Sequence, residues 1–217
     1  RGAREVVLLG QNVNAYGKRG LKRSVPFHEL LYRIASIPGL KRLRFTTSHP
    51  KDFTRECILA YRDIDILVNH LHLPVQSGNN RILNEMRRMH TIEEYISIIE
   101  ELKTVVPDMG LSTDIIVGYP GESDSEFEDT LALMSKIKFN NSYMFSYSPR
   151  PNTPAQDFSD SVPPSVKSAR LQRTIELQKK LTLEQGKLFL GQVVDVLVER
   201  ESYKPGADFR GRSAQYW

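Results

Sequence analysis

The sequence predicts an α/β protein in which parallel strands alternate with helices, arranged as a barrel or partial barrel. Three observations carry that expectation. Short apolar runs alternate with helical periodicities, and the runs begin about 30 to 40 residues apart, the length of a strand–loop–helix–loop unit. The runs are nearly continuous in apolar residues, as in parallel strands covered by helices. After the first run stands Gly10-Gln-Asn-Val-Asn14, which matches neither a dinucleotide nor a P-loop fingerprint. Five units in a row then favour a barrel over a doubly wound sheet.

The predicted strands are Glu5–Gly10, Arg42–Thr46, His70–Val75, Leu111–Val117 and Ser142–Tyr147. Between them, Phe27–Ile37 and Arg55–Tyr61 read as short helices. Glu93–Val106 sets Tyr95, Ile98, Ile99, Leu102 and Val105 on one stripe. Thr91-x-x-Glu94 ahead of it is a capping-box signature, able to satisfy two free backbone donors. Ser125–Lys138 lines up Phe127, Leu131, Met134 and Ile137 in the same way. Five prolines make Ser148–Pro164 extended or looped, because proline removes a donor and disfavours helix before it. Pro163-Pro164 suits the start of a long helix from Ser165 to about Leu190. Gly191 ends that helix, and Gln192–Glu199 alternates like a half-buried strand.

Composition narrows the class further. The 217 residues are 40% hydrophobic, enough to exclude a disordered chain. No apolar run approaches the ~18–20 residues that span a bilayer, and no signal-peptide pattern opens the chain. Thirty Lys and Arg against 26 Asp and Glu leave a net charge of +4, too small to identify a partner. One cysteine, Cys57, excludes an intrachain disulfide and a multi-thiolate metal site built from this chain alone. A start at Arg1 reads as a piece of something longer.

In parallel βα proteins the chemistry gathers at the C-terminal ends of the strands. Those ends carry Gln11, Asn12 and Asn14; Thr47, Ser48 and His49; Gln76, Ser77, Gly78 and Asn79; Gly118 to Glu122; and Ser146, Ser148 and Arg150. Amides and hydroxyls dominate, which suits hydrogen bonding to a ribose, an amino-acid moiety or a base edge. The lack of a lysine counts against Schiff-base chemistry. Any one of these residues, taken singly, equally well caps a helix or closes a turn. His70-x-His72 places two imidazoles on one face of a strand, as in metal-dependent hydrolase barrels. Both lie at the strand's start, away from the expected catalytic face, so core or loop histidines are the preferred reading. Arg200, Lys204, Arg210 and Arg212, interleaved with Tyr203, Phe209, Tyr216 and Trp217, could touch nucleic acid or form a solvated edge.

Five segments together resemble a known family. They are Val7 to Gly17 (VLLGQNVNAYG), Phe45 to Pro50 (FTTSHP), His72 to Gly78 (HLPVQSG), Thr113 to Glu122 (TDIIVGYPGE) and Tyr147 to Ala155 (YSPRPNTPA). In this order they look like the radical-SAM tRNA methylthiotransferases, and GQNVN with TTSHP points to the branch acting on C2 of isopentenyladenosine.

The resemblance implies a partial radical-SAM (β/α) barrel at 1–160, from its second strand onward. A long helix and connection follow at 161–190, and the start of an OB-like TRAM RNA-binding domain at 191–217. It implies a transferase that adds a methylthio group to tRNA by radical chemistry, with S-adenosylmethionine and two [4Fe-4S] clusters in the full-length enzyme. It also implies tRNA, sulfur donors and electron donors as partners, no membrane, and a cytoplasmic location (organellar in a eukaryote). Gln11, Asn12, Ser48, His49, Gln76, Ser77, Asp114, Gly118 and Glu122 fall where they would surround S-adenosylmethionine. Asn14, Arg150, Arg210 and Arg212 are assigned to substrate or RNA. The departure is that the cluster-binding CxxxCxxC and the three N-terminal cysteines are absent, so no metal ligand or catalytic residue is assigned and this chain alone is expected to be inactive. A metal-dependent hydrolase using His70 and His72, or a non-catalytic RNA-binding module, is the alternative.

Overall fold

A computed structural model describes residues 2–18, 25–46, 48–149, 162–203, 206 and 208–215. Among them the chain forms, in order, β1 (Glu5–Leu8), α1 (Phe27–Ala35), β2 (Arg42–Phe45), α2 (Arg55–Asp63), β3 (His70–His72), α3 (Asn80–Glu85), α4 (Ile92–Val105), β4 (Gly110–Val117), α5 (Asp124–Ile137), β5 (Asn141–Ser146), α6 (Pro164–Lys187), β6 (Val196–Glu201) and β7 (Phe209–Ser213).

Strands β1 and β2 pair in parallel, with Val7 opposite Arg44, and β3, β4 and β5 form a second parallel set. The sets join where Leu43 bridges Leu67, its N–H donating to the Ile66 carbonyl and its carbonyl accepting from Val68. The spatial order is therefore β1-β2-β3-β4-β5, each strand beside its predecessor. A doubly wound sheet needs a reversal of strand order, and none occurs here. Among the described residues β1 and β5 remain as edges, so the sheet is an open arc of a barrel.

Alternation along each strand divides the residues between two environments. Val6, Leu8, Leu43, Phe45, Leu71, Leu111, Ile115 and Val117 face the helices and form the main core with Leu31, Ile58, Tyr95, Ile99, Leu102, Phe127 and Met134. Phe45 anchors this layer, edge-on to Phe27 at 5.1 Å and tilted against Tyr61 at 5.7 Å. Arg44, His70, His72, Ser112, Asp114 and Tyr143 take the opposite, concave side.

Helix starts follow local chemistry. The Thr91–Glu94 capping box forms as expected, and Ser123–Glu126 makes a second one. Glu126 also accepts from two nitrogens of the Arg81 guanidinium, at 2.5 and 2.7 Å, which draws its pKa down to about 2. Strand β3 is shorter than predicted because Pro74 removes a ladder donor. Helix α3, absent from the periodicity reading, is a single capped turn and a half held by the Asn79 side chain.

Helix α6 packs on β5 and α5 with a stripe that is mostly polar: Lys167, Arg170, Thr174, Gln178 and Leu181. Gln178 donates to the Phe139 carbonyl at 2.9 Å and accepts from the Ser142 hydroxyl, and Thr182 donates to the Asn140 carbonyl at 2.8 Å. At its start the Arg170 guanidinium reaches the Glu122 carboxylate and the Asp124 carboxylate, each at 2.7 Å.

The last strands, β6 and β7, form an antiparallel hairpin, the beginning of a small β unit. Strand β6 starts four residues later than predicted, and β7 emerges from the stretch read as a basic tail. The hairpin rests on the N-terminal ends of the barrel strands. Arg42 donates to the carbonyls of Arg212 at 2.6 Å and Asp195 at 3.1 Å, and Gln215 donates to Asp108 at 2.7 Å.

Glu122 is fully buried at its side chain, and a buried ion pair that loses one member leaves an uncompensated charge. Replacing Arg170 by Ala is expected to lower stability by about 3–5 kcal/mol in urea denaturation. The double replacement Arg170→Met with Glu122→Gln is expected to recover most of that loss.

Candidate ligand site at the strand ends

The loops after β1 and β2 are fastened together. Asn14 is buried, and its amide donates to the His49 carbonyl at 3.0 Å while accepting from the His49 N–H at 2.9 Å. Asn12 and Lys18 both donate to Asp52 at 2.6 Å. Burial pushes the Asp52 carboxyl up, but those two bonds outweigh it and hold the group below its ordinary range. Gln11 beside them is exposed. Ser48 is buried, and among the described residues its hydroxyl has no hydrogen-bond partner.

The β3 end turns at Gln76, a non-glycine residue at φ 77°. Its N–H donates to the Asp114 carbonyl and its carbonyl accepts from Ile116, both at 2.9 Å, so the strained turn is locked onto β4. Ser77 and Asn79 serve the scaffold: the Ser77 hydroxyl accepts from the Asn79 N–H, and Asn79 caps α3. Gly78 donates to the Thr130 hydroxyl, and a Cβ there would lie 2.5 Å from the Thr130 Cα, so only glycine fits.

Asp114 is the convergence point. Its carboxylate lies 3.5 Å from His72 Nε2, and the neighbouring Arg88 and Gln76 side chains favour its ionised form. Burial raises its pKa, and His72, Arg88 and Gln76 each oppose the rise. Burial lowers the Arg88 pKa, with Asp114 working the other way. The His49 ring stands 5.6 Å from that of His90, and burial lowers both, His90 to about 4. Acceptors on Asp114 and Gln76 beside a half-buried guanidinium suit a pair of vicinal hydroxyls and a carboxylate.

The Gly118–Glu122 turn is engaged with α6. Glu122 accepts from the Gly118 N–H at 2.7 Å and pairs with Arg170, and a Cβ on Gly118 would lie 2.5 Å from Lys167 Cγ. Those two residues thus grip α6. Arg150 lies outside the described residues. Arg210 is exposed, whereas Arg212 pairs with Glu199 and lines the barrel floor, at the opposite end from Asp114.

His70 and His72 are buried on the concave side around a cavity of about 230 Å³ shared with Val7, Arg44, Ser112 and Tyr143. Both contact the Ser112 hydroxyl, at 3.1 and 2.9 Å. His72 is not remote from the strand-end group, as its position at the start of the strand implied, because β3 is short and Asp114 sits low on β4. Sequence reasoning also missed Arg88, which a mark on the α3–α4 connection would have found, and Arg170, which lay hidden in a long amphiphilic helix.

The sequence of residues 1–134 matches the Radical SAM superfamily model. Three bacterial relatives carry the name tRNA-2-methylthio-N(6)-dimethylallyladenosine synthase. The one from Protochlamydia amoebophila is 46% identical over 98% of this chain and 47% of its own length. That from Acetivibrio thermocellus is 47% identical over 98% of this chain and 44% of its own. The Agrobacterium fabrum protein is 48% identical over 94% and 45%. The chain therefore spans about half the length of the curated relatives it matches. Among solved structures, coproporphyrinogen III oxidase from Escherichia coli, described as a radical SAM enzyme, superposes with TM-score 0.57 at 18% identity, over 71% of this chain and 37% of that one. Methylornithine synthase gives 0.54 at 17% identity, over 85% and 56%.

Burial brings His70 down to about 3 and His90 to about 4, so the native state refuses protons that the unfolded chain takes up below about pH 6.5. Stability is therefore expected to fall as pH drops from 6.5 toward 3. Urea midpoints measured across that range should fall less steeply for His70→Asn than for the parent chain.

Proposed function

This chain belongs to the radical SAM superfamily, and on that premise we propose that its barrel holds S-adenosylmethionine for the 2-methylthiolation of dimethylallyladenosine in tRNA. The single observation that carries the reading is the meeting of Gln76, Asp114 and His72 at the strand ends, where the Gln76 N–H donates to the Asp114 carbonyl at 2.9 Å and His72 Nε2 lies 3.5 Å from the Asp114 carboxylate. The names of relatives at 46–48% identity supply the substrate. Other supports are the five sequence motifs and the parallel order of β1 to β5.

The donor set fits S-adenosylmethionine. Asp114 and Gln76 would accept and donate to its ribose hydroxyls, as strand-end carboxylates do in nucleotide folds. Arg88 would pair with its carboxylate, and the buried Ser48 hydroxyl offers one more contact. Bound S-adenosylmethionine supplies the hydrogen-abstracting radical and the methyl group. The chain's part is to orient it and keep the barrel interior dry; Val7, Leu9, Ile116 and the rings of Tyr143 and Phe145 would line the space in which the base is presented.

The family also implies an iron–sulfur cluster, and these residues do not fit one. Cys57 is the chain's one cysteine; it is buried in α2, its sulfur accepts from the Thr54 hydroxyl at 3.7 Å, and burial pushes its thiol up. In this proposal two [4Fe-4S] clusters are ligated outside residues 1–217, and sulfur and electron donors serve the complete enzyme. The hairpin of β6 and β7, with Arg210 exposed on it, would open the RNA-binding unit. No helix among the described residues is long and apolar enough to cross a membrane, and a cytoplasmic site of action is proposed. The hydrolase alternative falls, because the chain's family is a different one and the two histidines are engaged with Ser112.

The test is a chimera in which residues 1–217 replace the matching segment of the Agrobacterium fabrum relative, expressed in cells lacking their own enzyme. Mass spectrometry of digested tRNA should show the 2-methylthio modification restored, and Arg88→Ala in the chimera should abolish it. A folded chimera that binds S-adenosylmethionine yet leaves dimethylallyladenosine unmodified would contradict the assignment.

A further inference from the structure

The concave face carries a column of polar side chains that the strand-end site does not by itself require. His70 Nε2 lies 3.1 Å from Ser112 Oγ, Ser112 Oγ lies 2.9 Å from His72 Nδ1, and His72 Nε2 lies 3.5 Å from Asp114 Oδ1. The strand register puts His72 directly beside Ser112, so the contact follows from the pairing of β3 with β4. A serine hydroxyl has one proton, and its use decides the state of both rings. If Ser112 donates to His72 Nδ1, the His72 proton sits on Nε2 and points at the Asp114 carboxylate. If it donates to His70 instead, His72 turns a lone pair toward an anion, which is repulsive. With Asp114 ionised, the first arrangement holds, and His70 Nε2–H donates to Ser112.

We propose that His72 is a positioning residue, held by Ser112 in the tautomer whose Nε2–H faces the Asp114 carboxylate, so that Asp114 stays ionised and aimed at the ligand. The Tyr143 ring, edge-on to His72 at 5.8 Å, restrains the imidazole from the β5 side. The other groups facing this column are Arg88 and Tyr95 at Asp114, and Arg44 and Arg212 at His70. The inference rests on the reading of Asp114 as a ligand contact, and it extends that reading to the residue beneath it.

The direct test follows the ¹³C resonance of the Asp114 carboxyl in the full chain as pH is varied. His72→Ala should raise the Asp114 titration, because a group that favours the carboxylate is gone. His72→Gln, whose terminal amide can donate where Nε2 did, should bring it back toward the parent value. Ser112→Ala keeps both rings and should move the titration in the same direction as His72→Ala; it serves if the alanine variant does not fold. Equilibrium dialysis with S-adenosylmethionine should show His72→Ala binding about tenfold more weakly, with the loss largest at low pH. An Asp114 titration unmoved by both His72→Ala and Ser112→Ala overturns the proposal. Asp114→Asn separates the two readings: unchanged dialysis for that variant removes the ligand site, while the carboxyl titration still decides whether His72 positions Asp114.

Discussion

Successive residues of β1 to β5 point to opposite sides of the sheet, and on the concave side that alternation buries Arg44, His70, His72 and Ser112 and half-buries Asp114. Ionisable groups in such surroundings must be paired, neutral or hydrogen-bonded. The fold meets each case. Arg44 is paired with Glu5 at 3.1 Å; His70 and His72 are pulled toward neutrality by burial; Ser112 joins them. Asp114, at the top of the column, is the one carboxylate that the arrangement leaves aimed at the strand ends, with Gln76 and Arg88 beside it. The floor of the barrel thus sets the electrostatics of its mouth.

The same need for satisfied polar groups explains how the outer elements attach. Helix α6 buries a stripe of amide, hydroxyl and guanidinium groups and meets the sheet edge by hydrogen bonds to backbone carbonyls. Glu122 is enclosed only because Arg170 comes with it, and Gly118 leaves room for the Lys167 stem. The turn read from sequence as ligand-binding thus also forms the socket of a helix. At the other end, the half-buried Arg42 guanidinium donates to carbonyls of the β6–β7 hairpin, and Gln215 adds a bond to Asp108, so the hairpin is fastened to the floor.

How far these features could be read in advance differs by element. Strands and helices with an apolar stripe, such as α4 with Tyr95, Ile99 and Leu102, were legible because hydrophobic period reports burial directly. The polar seam of α6 gave no such signal, and neither did α3, which is too short to show a period. At the strand ends Gln76 and Asp114 do meet. Periodicity could not separate residues that face the arc from those that staple loops: Asn14, Ser77 and Asn79 have the chemistry of a ligand contact and also make hydrogen bonds within the scaffold. Only pairing register shows that His72 and Ser112 are neighbours.

The central claim is that the strand-end group, and not the cavity at the floor, is where S-adenosylmethionine sits. Titrating the ¹⁵N-labelled chain with S-adenosylmethionine and following backbone amides tests it most directly. The account predicts shifts concentrated at Ser48 and His49, at Gln76, at Asp114 to Ile116 and around Arg88, with Arg212 and Gly110 unmoved. Shifts centred on the floor, or none at the strand ends under saturating ligand, would contradict it.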